Sequence, residues 1–180
     1  MVALIIVFFT VGFDQLTKYY AITKLEPIGT YPIIEGIFHF TYTTNKGAAF
    51  GILTNHRWVF LALSTISILV LAYILIRFKR GSPIFMASLA LMLGGGIGNM
   101  IDRVSRGYVI DFLEFRFINF AIFNVADSCV CIGGVVMCVY MIVAEFRGKD
   151  VFTNTSKIRD QVPAGKRDEA DEVDDSALLK

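Results

Sequence analysis

The chain has 180 residues, 55% of them hydrophobic and only 18% charged, with a formal net charge of +1 and a mean hydropathy of +0.61. Soluble domains are normally about 45–50% apolar and about 25% charged, so this composition argues against a soluble enzyme, a secreted disulfide scaffold and, lacking a basic stripe, a nucleic-acid binder. The charge is uneven as well: residues 148–180 hold 14 of the 33 charged side chains, which separates a membrane body, 1–147, from a polar tail.

A helix needs roughly 20 mostly apolar residues to cross a hydrocarbon core about 30 Å thick. The first expected span covers about 2–22. Met1–Phe13 carries no charge, and the apolar pattern continues past Asp14 and Lys18. No basic segment precedes it and no small-x-small cleavage site comes after it, so it reads as a retained span rather than a signal peptide. Asp14 and Lys18, four apart, share one helix face as an ion pair. The pair is either structural or part of the scaffold of a site.

The next segment, about 23–56, changes texture. Tyr31, Ile33, Ile37, Phe38, Phe40, Tyr42 and Thr43 are strand formers with partial alternation, punctuated by Pro27, Gly29, Pro32 and Gly36. This pattern predicts a small sheet lying on the membrane surface. His39 and His56, the only histidines, both fall here, at no metal-ligand spacing.

Two further spans are expected at about 57–77 and 82–102, with Arg77, Lys79 and Arg80 in the turn between them. Short basic loops stay in the cytoplasm. Arg147 and Lys149 after the last span agree, which places both termini inside and segments 23–57 and 103–116 outside. Arg103, Arg106 and Arg116 in the second outer segment run against the rule. The third span closes on Gly94-Gly95-Gly96-Ile97-Gly98-Asn99-Met100-Ile101-Asp102-Arg103. The glycines suit close helix packing in lipid; packing does not account for the polar group after them.

Asp111 lies in a short apolar stretch of the second outer segment. The fourth span is expected at about 119–145; the apolar window Phe117–Ala144 contains a single charge, Asp127, with Asn124 three residues earlier. Cys129, Cys131 and Cys138 in this span form no CxxC pattern and read as small buried apolar residues. The tail mixes acids and bases with few apolar residues, a composition expected to be disordered.

Charges inside spans are costly, about 2.5–3.5 kcal/mol each at mid-bilayer, so the few present can be weighed singly. Alone, Asp127 could be a contact between helices and Asp111 a solvated loop acid. Folding the outer loop back onto the helix it leads into would bring them together. Two carboxylates sharing a site at a membrane boundary hold one proton between them, so that one takes a proton from water while the other donates to a carbonyl. This chemistry needs no metal, cofactor or nucleophilic side chain. A small proton- or cation-coupled transporter is the alternative, but its polar residues should line a transmembrane path, whereas here they gather at outer helix ends. A metal-dependent phosphotransferase would need more carboxylates, on the cytoplasmic side.

Five blocks, in order, carry a resemblance: Asp14-Gln15-Leu16-Thr17-Lys18, Asn45-Lys46-Gly47-Ala48-Ala49-Phe50-Gly51, Gly98-Asn99-Met100-Ile101-Asp102-Arg103, Val109-Ile110-Asp111-Phe112 and Phe123-Asn124-Val125-Ala126-Asp127. The sequence resembles the lipoprotein signal peptidases, the bacterial type II signal peptidases, which are integral-membrane aspartyl endopeptidases. The resemblance implies an all-α bundle of four transmembrane helices with a small extracytoplasmic sheet, or cradle, after the first helix. It implies a multi-pass protein of the bacterial inner membrane, monomeric, with its site at the outer face. Asp111 and Asp127 would be the catalytic dyad, cleaving before the diacylglyceryl-modified cysteine of a prolipoprotein. Asn45, Gly47, Asn99, Arg103 and Asn124 would bind substrate or support the dyad, while Asp14, Lys18 and Asp102 would be structural. Membrane lipids and the inhibitor globomycin are the further partners it implies. Ala48, Ala49 and Gly51 would let the loop approach a peptide closely, with Phe50 packing over it.

Overall fold

A computed structural model of the chain describes residues 1–47, 57–78, 81–118 and 120–148. Among the described residues there are four long α-helices: α1 Val2–Tyr20, α2 Arg57–Arg77, α3 Pro83–Ser105 and α4 Val125–Phe146. Helix α1 is prolonged by a π-helical turn, Ala21–Leu25. Among the described residues, three helical segments are long and apolar enough to cross a membrane, Val2–Leu25, Pro83–Ser105 and Val125–Phe146; Leu61–Arg77 is a shorter apolar helix. The tail beyond Gly148, with the expectation of disorder attached to it, lies outside the described residues, as do Lys79, Arg80 and His56.

The burial pattern is inverted relative to a soluble bundle. The buried residues of α1 are Thr10, Asp14 and Lys18, whereas Leu4, Phe8, Phe9, Phe13 and Leu16 are exposed. Polar side chains in lipid must face inward and find partners there, so an outward apolar face with an inward polar stripe marks a membrane-embedded helix.

Helix α3 is central and packs against α1, α2 and α4. Its glycines make this possible: a Cβ at Gly94 would lie 2.7 Å from the Thr10 side chain on α1, and one at Gly95 would meet the Ala126 carbonyl on α4. Lipid offers no hydrophobic force between helices, so close backbone approach and van der Waals contact hold them. Toward the opposite end, Leu75, Phe85, Leu89 and Leu93 form the apolar core between α2 and α3.

Three antiparallel strands, β1 Thr30–Ile34, β2 Phe38–Asn45 and β3 Val109–Phe115, form a sheet in the order β1-β2-β3. Strands β1 and β2 fall within residues 23–56, where a small sheet was expected. Strand β3 was not expected from the sequence: it arises from the segment between α3 and α4. Gly107, at φ 86°, reverses the chain out of α3, a backbone state that only glycine adopts without strain. Ile110 and Phe112 of β3 then pack on Ala21 and Leu25 of the π-helical turn that follows α1.

The fourth helix begins later than the span expected at 119–145. Phe123 is strand-like: its carbonyl accepts from Phe112 N and Leu113 N at 3.0 and 2.8 Å, and its N–H returns to the Leu113 carbonyl at 3.1 Å. Hydrophobic composition alone runs the span back through this segment, while backbone pairing to β3 holds it out of the helix.

Candidate active site

Asp111 reaches its position through the pairing of β2 with β3. Phe40 faces Leu113 and Thr43 faces Asp111, so two residues of β2, Thr41 and Tyr42, stand opposite Phe112 alone. Such a bulge shifts the side-chain alternation by one and re-aims the side chains beyond it. Here it brings Asn45 to the side of the sheet occupied by Asp111. Asn45 Nδ2 donates to Asp111 Oδ2 at 3.0 Å, while its Oδ1 accepts from Gly47 N at 3.0 Å.

Asp127 is placed by the start of α4. Asn124 is the N-cap: its Oδ1 accepts from Asp127 N at 2.9 Å, and Asp127 Oδ2 accepts from Asn124 N at 3.2 Å. This reciprocal capping box satisfies two backbone donors that the first turn leaves open. The cap leaves Asn124 Nδ2 free to donate to Asp111 Oδ1 at 2.6 Å and to Asn99 Oδ1 at 3.1 Å. One buried asparagine therefore touches both carboxylates.

Asn99, on α3, completes the frame. Its Nδ2 donates to Asp127 Oδ1 at 2.7 Å, and its Oδ1 accepts from Lys18 Nζ at 2.9 Å. The ammonium also meets Asp14 Oδ2 at 2.9 Å and Asp102 Oδ2 at 3.0 Å, with all three side chains fully buried. Asp14 accepts further from Ala126 N, and Asp102 from Arg106 at 2.7 Å and from Ile110 N at 3.3 Å. Buried charges persist when paired and hydrogen-bonded, and this cluster ties α1, α3, β3 and α4 together beneath the two carboxylates. Gln15 joins it through Gly98 O at 3.1 Å and Asp14 at 3.2 Å.

The asparagine orientations are set by their neighbours. Lysine ammonium and backbone N–H groups only donate, so each asparagine turns its oxygen toward them and its amino group toward a carboxylate. Asp111 is almost fully buried. Burial, and then the nearby Asp127, push its carboxyl up to about 6, opposed by the bonds from Asn45 and Asn124.

Both carboxylates line one cleft of about 440 Å³, with Asn45, Gly47, Arg103, Val109, Phe123 and Ser128 among its walls. Arg103 is within electrostatic reach of both. The arrangement can bind a polar group between two carboxyls and exchange one proton with it. Among the described residues no three His, Cys, Asp or Glu side chains converge as a metal-ligand set; the space between Asp14 and Asp102 is filled by Lys18.

A family model described as Signal peptidase (SPase) II matches residues 6–143. The chain belongs to this family. It is 46% identical over 140 residues to a protein of Caldanaerobacter subterraneus subsp. tengcongensis named lipoprotein signal peptidase, covering 78% of this chain and 95% of that one. A protein of the same name from Clostridioides difficile is 37% identical over 149 residues, covering 83% of this chain and all of the other. Among solved structures, a bacterial membrane enzyme determined by the in meso method at 2.3 Å resolution superposes with a TM-score of 0.76 at 32% identity, covering 83% of this chain and 92% of that one.

The family resemblance read from the sequence therefore holds, and the chain is a membrane-embedded member of a peptidase family. The structure gathers all of the residues singled out for the site: Asn45, Gly47, Arg103, Asp111 and Asp127 at the cleft, and Asn99, Asn124, Lys18, Asp14 and Asp102 in the buried frame. Ala48, Ala49, Phe50 and Gly51 lie outside the described residues. The cysteines require a correction: Cys131 and Cys138 are exposed and Cys129 half-buried, because the outer surface of α4 is apolar and Cys131 stands at the cleft wall. Gln15 and Arg106 were not expected at the cluster. Arg106 carries a signal, four residues beyond Asp102, whereas Gln15, which meets Gly98 on another helix, carries none in its spacing.

Proposed function

We propose that this chain is a membrane aspartyl endopeptidase that removes signal peptides from prolipoproteins, cleaving before the diacylglyceryl-modified cysteine. The observation that carries the reading is Asn124 bonded to both Asp111 and Asp127 at one cleft. In this mechanism Asp111 holds the proton that the two carboxyls share. Water placed between them attacks the scissile carbonyl carbon, giving one proton to Asp127 as Asp111 protonates the carbonyl oxygen. The resulting diol collapses: the C–N bond breaks as Asp127 passes its proton to the leaving amine and Asp111 takes a proton from a diol hydroxyl, which restores the starting dyad and leaves a carboxylic acid. Asn45, Asn99 and Asn124 hold the carboxyls in place, and Arg103 and Gly47 contact substrate.

Residues 1–147 form the peptidase domain and 148–180 a cytoplasmic tail. The domain crosses the inner membrane four times with both termini inside, so the dyad faces outward, where the substrate's lipid anchor stays in the bilayer while water reaches the cleft. A monomer suffices. The test is processing of a lipid-modified prolipoprotein by purified protein in detergent. Processing that is lost in Asp111→Asn and Asp127→Asn, blocked by globomycin and indifferent to EDTA is expected. Processing that survives either substitution rejects the dyad.

A further inference from the structure

A second cleft, of about 410 Å³, lies between the outer end of α1 and the sheet, and shares no lining residue with the first. Thr17, Tyr20, Ala21 and Lys24 form one wall at helical spacing; Phe40 and Phe112 form the opposite one. The proposed peptidase mechanism makes no use of it. We propose that this groove binds an anionic phospholipid, with an acyl chain along the aromatic wall and the headgroup phosphate at Lys24.

Three observations select that occupant. The walls are nearly free of polar atoms, so a peptide lying there would leave its backbone groups without partners, whereas an acyl chain has none to satisfy. The groove also begins where the apolar surface of α1 ends and the sheet starts. Its rim carries the exposed Tyr20 and Tyr31, the residue type that settles at headgroup depth. Finally, Lys24 is exposed and, among the described residues, forms no ion pair. A lysine whose stem lies along apolar surface carries its ammonium to the headgroup layer, where phosphate is the complementary charge.

The π-helical turn contributes to this shape. The Glu26 N–H bonds back to the Ala21 carbonyl at 2.8 Å, and the widened turn carries Ala21, Lys24 and Leu25 of the groove. Such turns concentrate at functional sites. Phe112 of the groove comes directly after Asp111 in β3, so the two clefts lie against the same strand.

The test uses the full chain in nanodiscs of equal phosphatidylglycerol and phosphatidylcholine, extracted gently into dodecyl maltoside, with retained lipid counted by native mass spectrometry. The expected result is about one phosphatidylglycerol per chain, retained over phosphatidylcholine, with that preference falling about fivefold in Lys24→Gln. Thr17→Phe, which fills the groove, should lose the lipid. Ile28→Asp, at the exposed rim, provides the same reading should Thr17→Phe fail to fold. Equal retention of the two lipids, retention of detergent alone, or retention unchanged in the variants overturns the proposal. The readout is bound lipid, so it is independent of whether the chain cleaves prolipoproteins.

Discussion

Lys18 Nζ donates to Asn99 Oδ1 at 2.9 Å, and this bond turns the amino group of Asn99 toward Asp127. A residue of the first helix thereby sets the orientation of a side chain on the third that holds a carboxylate of the fourth. The same ammonium neutralises Asp14 and Asp102.

Replacing Lys18 by methionine keeps the side-chain length and removes the charge. Asp14 is then buried without its cation, while Asp102 keeps Arg106 at 2.7 Å, and breaking a buried pair in this way costs about 3–5 kcal/mol. Thermal unfolding in detergent should show a large loss for Lys18→Met and partial recovery in Lys18→Met/Asp14→Asn, which removes the stranded charge. A Lys18→Met protein that melts with the parent would show that the cluster does not stabilise the bundle.

Asn124 has two separable duties, capping α4 and donating to Asp111. Asn124→Ala should lose about 1 kcal/mol of stability with the cap. Asn124→Ser restores a capping oxygen but not the amide donor. Stability should therefore recover in the serine variant while processing stays down by about fivefold, the scale of one intramolecular hydrogen bond. Equal recovery of both would assign Asn124 to the helix alone.

Gly98 tests the close approach of α3. A Cβ there would lie 2.5 Å from Asp14 Oδ2 and 3.4 Å from the Ala126 Cβ, whereas one at Gly134 meets nothing within 4 Å. Gly98→Ala should destabilise by about 1–3 kcal/mol through overpacking, and by displacing Asp14 it should also reduce processing. Gly134→Ala should be neutral or slightly stabilising, as expected for glycine replaced in a helix without a clash. The comparison is a pair of unfolding curves in the same detergent.

Features set by local interactions were legible in the sequence, and those set by distant partners were not. The apolar runs mark the helices because lipid demands long uninterrupted stretches, and the Asp14–Lys18 pair is visible because four residues make one helical turn. The third partner, Asp102, comes from another helix and leaves no spacing to read. Strand β3 escapes notice for the same reason: Val109–Phe115 is mostly apolar and becomes a strand by pairing with β2, far away in sequence. The bulge at Thr41 and Tyr42 is likewise a property of the pair and not of either strand. The start of α4 did carry a local mark, Asn124 and Asp127 at capping-box spacing, but the apolar residues before it concealed the boundary. The cysteines were misplaced because lipid reverses the rule that apolar side chains go inside.

The Asp111 carboxyl, pushed up to about 6 from an ordinary value of 3.8, fixes the sign of a pH dependence. Between those values the folded protein binds more protons than the unfolded chain, so stability falls as pH rises through the interval and levels off above about 6. The shift corresponds to about 3 kcal/mol at most. The free protein's kcat/KM for processing should descend from near pH 6 upward as the shared proton is lost. Burial is the larger cause and Asp127 the second, so Asp127→Asn should move the Asp111 titration only part of the way back toward 3.8. Carbon-13 NMR of labelled aspartate, with Asp111→Asn to assign the resonance, reads this directly. A full return to 3.8 in Asp127→Asn would make repulsion the main cause, and no change would mean that the two carboxylates do not share a site.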